Sequence, residues 1–437
     1  MKKIKKRAYS AFLIALLLIG GMTAYVVRFI TDGEGWATFT GNEGVYDSGK
    51  IAVGTVTDRN GIILSKADES GKFYSEDSKV RISTLHALGD YEGYIGTGAL
   101  TSFADRLTGY SAIGGLASGG AKLALSIDAQ LCTIAYDALA GRNGAVLVMN
   151  YETSEVICMV SAPSYDPNIG FDESDSSYTG AYINRCISSR YTPGSVFKIV
   201  TLAAALENIP DIYERTFECA GSIHVGGSDV KCAGTHGRQT IEQAFANSCN
   251  CAFGSIALEL GGECIKEYAD KLGLTSSHTL SGIETAAGFF EAAPDETPAL
   301  AWSGIGQHTD LVSPFAVMRL VAAVANGGEV NEPSILLGEG GGSEKLLKKE
   351  TAQKISEMMN YNVAYAYGGE WSFPGLNLSA KSGTAEVGDG NEHSWFAGFL
   401  NDEEHPYAFV VVIENGGGGL RNAGAVANTI LQAATKD

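Results

Sequence analysis

Ser195 and Lys198 stand three residues apart in "TPGSVFK", which sets an amine within reach of a hydroxyl where a helix begins. Pro193 and Gly194 suit a helix start, and side chains at i and i+3 share the face of its first turn. A serine hydroxyl is a weak nucleophile until a base accepts its proton. A lysine can be that base only if desolvation or a second cation lowers its pKa. Phe197 and the apolar "IVTLAAAL" behind Lys198 supply apolar surroundings, and free N–H groups at a helix start can hold an oxyanion. The tetrad is weak by itself, because Ser228 and Lys231 in "GGSDVK" repeat it. That copy lies in a glycine-rich loop without a helix start and reads as chance.

Two further groupings raise the odds. "ANSCNCAF" puts Ser248 and Asn250 two apart, so a locally extended segment would aim both side chains at a cleft and send Cys249 and Cys251 into apolar packing. "AKSGTAE" puts Lys381, Ser382, Gly383 and Thr384 on a strand, where Gly383 would let a ligand approach the backbone and Lys381 adds positive charge.

These groupings need a scaffold, and the hydrophobic periods supply one. "GAVLVMNYETSEVICMVSAP" reads as a hairpin turned at Glu152 to Ser154, and helices then dominate: "GSVFKIVTLAAALEN", "TIEQAFANSCNCAFGSIALELG", "SPFAVMRLVAAVANGG" and "KETAQKISEMMN". A three-stranded meander follows, "LSAKSGTAEV", "HSWFAGFL" and "YAFVVVIE", turned at "GDGNE" and "NDEEHP", before a closing helix "AGAVANTILQAATK". Two strands, a helical insertion, three strands and a helix predict an α+β domain, residues 122–437, with one antiparallel sheet and a helical subdomain. Upstream, residues 31–121 read as a small, mostly β module with a turn at Asp58 to Gly61.

A net charge of -19 over 437 residues argues against nucleic acid, whose phosphates select basic surfaces. "MKKIKKR" is the basic exception, followed by a charge-free stretch from Ala8 to Val27 that is long enough to span a bilayer. Arg28 and Phe29 suit an interfacial anchor, and the preceding cations predict residues 1–7 in the cytoplasm, an uncleaved anchor at 8–30 and an extracytoplasmic remainder. Eight cysteines are too few for a disulfide scaffold, and Cys132, Cys158, Cys186 and Cys264 read as small core residues. Cys219 and Cys232 flank "AGSIHVGGSDVK", where a disulfide is allowed. His224 and His236 lie nearby, but the spacing is not a known zinc signature, so a disulfide or free thiols is preferred and no metal is assigned.

In order, the three groupings are the set Ser-x-x-Lys, Ser-x-Asn, Lys-Ser/Thr-Gly of penicillin-binding proteins and β-lactamases, here separated by 53 and 133 residues. The chain resembles the class B penicillin-binding proteins, monofunctional transpeptidases with a membrane anchor and a pedestal. "GTVTDRNGIILSKA" and "GTGALTSFADRLTGY" look like pedestal segments, "SAPSYDPN" like the stretch before the nucleophile, and "HSWFAGF" like the strand after the last motif. It departs from the pattern at His308, where a glycine is expected after Gly306 and Gln307, at Ser313 in place of a threonine, and in its short pedestal.

The resemblance implies a five-stranded antiparallel sheet in the catalytic domain, no cofactor, and a D,D-transpeptidase acting on peptidoglycan stem peptides ending in D-Ala-D-Ala. Ser195 would form the acyl-enzyme with Lys198 as its base, Ser248 and Lys381 would relay the proton, and Asn250 would hold the acyl amide. Ser382 or Thr384 would bind the terminal carboxylate beside Gly383, and β-lactam antibiotics would acylate the same serine. A membrane glycan polymerase is the implied partner, since residues 31–121 are too few to hold that activity as well. A β-lactamase or DD-carboxypeptidase of the same fold is the alternative. The first would need a deacylating base that the sequence does not reveal, and a β-lactam sensor or non-enzymatic scaffold ranks after both.

Overall fold

"GAVLVMN" and "VICMVSA" are apolar on both faces, as strands held between two layers must be. They form Gly144–Asn150 and Val156–Ala162, buried throughout except for Asn150. In the computed structural model, which describes residues 2–388 and 390–436, this hairpin joins the C-terminal meander in one antiparallel sheet. The strand order is Leu378–Glu386, Glu392–Leu400, Tyr407–Ile413, Gly144–Asn150, Val156–Ala162. The closing helix Gly419–Ala434 packs with Ala129–Leu139 on one face, and Pro314–Ala325 with Lys349–Ala366 on the other. The sheet is therefore assembled from both ends of the domain as expected, with Leu378–Glu386 at its edge beside the helical insertion. Asp389, in the expected "GDGNE" turn, and the terminal Met1 and Asp437 lie outside the described residues.

One expectation is corrected. "TIEQAFANSCNCAFGSIALELG" is two helices, Ile241–Ala246 and Asn250–Leu260, because Ser248 takes a left-handed φ of 51° and Cys249 caps the second helix with its sulfur. The upstream module is β-rich as expected and also holds a helix, Ser78–Leu88, started by the Asp77 carboxylate accepting from the Lys79 N–H. Its sheet runs Gly71–Tyr74, Ile63–Asp68, Gly54–Thr57 and then, in parallel, Lys122–Ala124, a segment the sequence assigns to the catalytic domain. The N-terminal helix, Lys2–Ala37, is long and apolar enough to cross a membrane and leaves its apolar side chains exposed.

Before Pro314–Ala325 the chain buries Asp310 completely, and neither carboxyl oxygen has a hydrogen-bond partner among the described residues. Burial holds its pKa well above the ordinary value, and the neighbouring Ser303 hydroxyl, too poorly placed to form a hydrogen bond, offsets this only in part. For an acid whose folded pKa is raised, stability is full below the unfolded pKa near 3.8 and falls as pH rises. Asp310→Asn, the same shape without the charge, is therefore expected to stabilise the chain by about 1–3 kcal/mol near pH 8 and by little near pH 4. Denaturant melts at the two pH values check this. A pH-independent difference would remove the assignment of a charge penalty to Asp310.

Candidate active site

The Ser195 segment begins with a 3-10 turn, Gly194–Phe197, that runs into the helix Lys198–Asn208. In a 3-10 turn side chains at i and i+3 eclipse. Ser195 and Lys198 accordingly face each other, with Lys198 Nζ 3.1 Å from Ser195 Oγ. Gly194 adopts a φ of +54°, and a Cβ there would lie 2.7 Å from the Thr384 carbonyl, so glycine lets the turn lie against the sheet edge. Gly306 clamps it from the other side, its carbonyl accepting from the Gly194 N–H at 2.8 Å.

The break between the two helices delivers Ser248 and Asn250. They meet at Lys198 by a different geometry from the extended segment expected, one through its left-handed backbone and the other as the first residue of a helix. Lys198 Nζ lies 2.5 Å from Ser248 O, 3.1 Å from Ser248 Oγ and 2.7 Å from Asn250 Oδ1. Lys381 Nζ reaches the same Ser248 hydroxyl at 3.0 Å. Ser195, Lys198, Ser248 and Lys381 thus form one hydrogen-bonded chain.

Both lysines are fully buried. Desolvation, with Lys381 nearby, pushes the Lys198 pKa well below the ordinary lysine value, and desolvation brings Lys381 down to about 7. A neutral amine 3.1 Å from a serine hydroxyl can accept its proton. Opposite Ser195, the edge strand turns Ser382 N–H outward to the Tyr367 phenol oxygen, 3.1 Å away. Because alternate N–H groups of an edge strand face the same side, Thr384 presents its own N–H to the cleft beside Ser195. Ser382 and Thr384 line this cavity of about 360 Å³ together with Asn250, Trp302 and Gln307.

Gly383 has a different role from the one expected. A Cβ there would lie 2.8 Å from Val196 and 3.0 Å from the Pro193 carbonyl, so its bare backbone admits the Ser195 turn rather than a ligand. Ser228 and Lys231, the second tetrad, lie on a largely exposed strand, Ser228–Lys231, rather than in the first turn of a helix. Lys231 still borders the cleft, and its carbonyl accepts from Asn250 Nδ2 at 3.0 Å. Sequence reasoning missed that contact, and it missed Tyr367, whose phenol oxygen lies 3.4 Å from Lys381 Nζ and accepts the Ser382 hydroxyl at 3.0 Å. A tyrosine in "YAYGG" carries no signal of its position. Tyr367→Phe removes the acceptor of the partly buried Ser382 N–H and is expected to slow acylation by about tenfold, at a stability cost of about 1 kcal/mol. Stopped-flow acylation and thermal melts read the two effects, and an unchanged acylation rate would remove Tyr367 from the site.

Residues 144–433 match the family model for the penicillin-binding protein transpeptidase domain. The chain belongs to this family. Among curated relatives, the peptidoglycan D,D-transpeptidase PbpA of Mycobacterium tuberculosis is 28% identical over 317 residues, 64% of each chain. The peptidoglycan D,D-transpeptidase MrdA of Haemophilus influenzae is 25% identical over 374 residues, 72% of this chain and 56% of that one. This chain thus matches less than two thirds of the length of either relative. The solved structure of penicillin-binding protein A from M. tuberculosis superposes with a TM-score of 0.75 at 23% identity, covering 88% of this penicillin-binding protein and all of the other chain. The fold is shared although little of the sequence is.

His308, where the family resemblance leads one to expect glycine, sits at a φ of +71°. The backbone there is the one glycine adopts most readily.

Proposed function

We propose that this penicillin-binding protein is a peptidoglycan D,D-transpeptidase. One observation carries the reading: the unbroken chain from Ser195 Oγ through Lys198 and Ser248 to Lys381, buried on the amine side and open to a cleft on the hydroxyl side. Ser195 attacks the carbonyl between the last two D-alanines of a stem peptide, and Lys198 takes its proton. The N–H groups of Ser195 and Thr384 hold the oxyanion. Lys381 and Ser248 pass a proton to the departing D-alanine, and the amine of a neighbouring stem peptide resolves the ester.

Asn250 engages Lys198 through Oδ1 and the Lys231 carbonyl through Nδ2, so holding an acyl amide requires one of these bonds to yield. Thr384 Oγ1 accepts from the Gly419 N–H at 3.1 Å and keeps its own proton for a terminal carboxylate, with Ser382 beside it. The relatives named D,D-transpeptidases support this reading, and so does a ceftriaxone acyl-enzyme complex solved for M. tuberculosis penicillin-binding protein A, which superposes on this chain with a TM-score of 0.72. The Lys2–Ala37 helix anchors the protein with its N-terminus in the cytoplasm, and a membrane glycan polymerase supplies the strands to be joined.

The test is to incubate the full chain in detergent with a fluorescent penicillin, map the adduct by peptide mass spectrometry, and follow its release. A long-lived adduct on Ser195, absent from Ser195→Ala, together with incorporation of an acceptor amine into a stem-peptide substrate, is expected. Rapid turnover with hydrolysed drug accumulating would make the chain a β-lactamase. No adduct on the folded protein would end the enzymatic reading.

A further inference from the structure

Beside the cleft, four side chains from separate stretches of sequence converge. Cys219 ends the strand Thr216–Cys219, Cys232 follows the strand Ser228–Lys231, His236 precedes the strand Gly237–Thr240, and Cys249 lies between Ser248 and Asn250. Their donor atoms all lie within 4.8 Å of one another. Cys232 Sγ is 3.9 Å from Cys249 Sγ, and His236 Nδ1 is 3.4 Å from Cys219 Sγ and 3.6 Å from Cys232 Sγ.

Those separations carry chemical information. With Zn–S near 2.3 Å and Zn–N near 2.0–2.1 Å, the edges of a tetrahedral site measure about 3.8 Å between sulfurs and about 3.5 Å between sulfur and nitrogen. All eight cysteines are free. Two backbone N–H groups also point at the sulfurs: Asn250 N–H donates to Cys232 Sγ at 3.2 Å and Ala252 N–H to Cys249 Sγ at 3.5 Å, the outer-shell support that metal-bound thiolates use. His224, which the sequence also places near Cys219, instead pairs with Asp229 at 2.8 Å in an exposed hairpin and takes no part.

We propose that Cys219, Cys232, His236 and Cys249 bind one Zn²⁺ ion in a closed, structural site. On binding, the three thiols release three protons to solvent and neutral His236 coordinates through Nδ1, so one dication and three thiolates leave a single net negative charge. Four protein ligands leave no open position, so the ion activates no water. Its work is positional. Cys249 is flanked by the two residues that meet Lys198, so the ion ties the strained Ser248–Asn250 segment to the paired strands Thr216–Cys219 and Gly237–Thr240. The effect on acylation rests on the transpeptidase reading, whereas the metal content does not.

The full chain, purified in detergent without chelator, is expected to carry one zinc per chain by elemental mass spectrometry. Cobalt replacement should give the visible bands of a tetrahedral, sulfur-rich site. The double variant Cys232→Ser with His236→Ala should lose the metal, while His236→Cys should keep it, which separates loss of ligands from failure to fold. Chelation should lower the melting temperature and slow fluorescent-penicillin acylation by at least about tenfold, with recovery on adding zinc but not magnesium. Metal-free wild-type protein that takes up no added zinc when reduced would overturn the proposal. So would a Cys219–Cys232 disulfide in a non-reduced peptide map, or a folded double variant that retains stoichiometric zinc.

Discussion

Replacing Lys198 by alanine lowers the rate of penicillin acylation by about a hundred- to ten-thousandfold, the span expected when a positioned base is removed, and abolishes the dependence of that rate on pH near neutrality. Lys198 can accept the Ser195 proton only as a neutral amine, and burial together with the neighbouring Lys381 favours that form by lowering its pKa. In the wild type the rate therefore climbs as pH rises through the lowered pKa of Lys198 and then levels. Below about 7 Lys381 also carries its proton, so two adjacent cations share one buried site and the relay is charged at both ends. Lys198→Arg sharpens the test, because a guanidinium keeps a long basic side chain there but cannot be deprotonated. Stopped-flow acylation between pH 5 and 9, with thermal melts to show that each variant folds, makes the measurement. An alanine variant within tenfold of wild type with the same pH profile would place the base elsewhere.

Much of this site is readable from the chain because it depends on short spacings. Ser195 and Lys198 meet through one helical turn, and Lys381 to Thr384 share one strand, so local periodicity places them without knowledge of the fold. Which side of the sheet each end supplies follows from the apolar runs, and the five-stranded order agrees with them. The remainder depends on contacts distant in sequence. Ser248 breaks a stretch whose helical spacing is continuous, and its left-handed backbone is set by Lys198 and Cys249 rather than by its own propensity. Gly383 is small because Val196, far earlier in the chain, packs on it. Cys249 reads as a core residue until a second hairpin brings Cys232 to it. Tyr367 reaches Lys381 only because the helix Lys349–Ala366 ends beside the edge strand. Even the boundary between the two parts of the chain is blurred by pairing, since Lys122–Ala124 completes the upstream sheet.

Gly306→Ala shows how far the position of Ser195 depends on a residue that does no chemistry. Gly306 has a φ of +79°, which an alanine adopts only at a cost of about 1–2 kcal/mol. The added methyl would also lie 2.1 Å from the Gly194 carbonyl and 2.6 Å from Phe197 Cβ, inside contact distance on both sides of Ser195. Neither neighbour is the end of a flexible side chain, so the relief must come from moving the 3-10 turn itself, and the Gly194 N–H bond to Gly306 breaks with it. Displacing Ser195 by about 1 Å from Lys198 and from the outward N–H of Thr384 costs on the order of a hundredfold in acylation. The stability loss of a few kcal/mol should leave the protein folded at 20 °C and lower its melting temperature. His308→Gly is the matched control, because it relieves a left-handed residue two positions on without adding an atom, and it should leave acylation within about twofold. Gly306→Ala acylating at the wild-type rate would show that the turn is held by the sheet edge alone, through Gly194 against Thr384, and not by the clamp from Gly306.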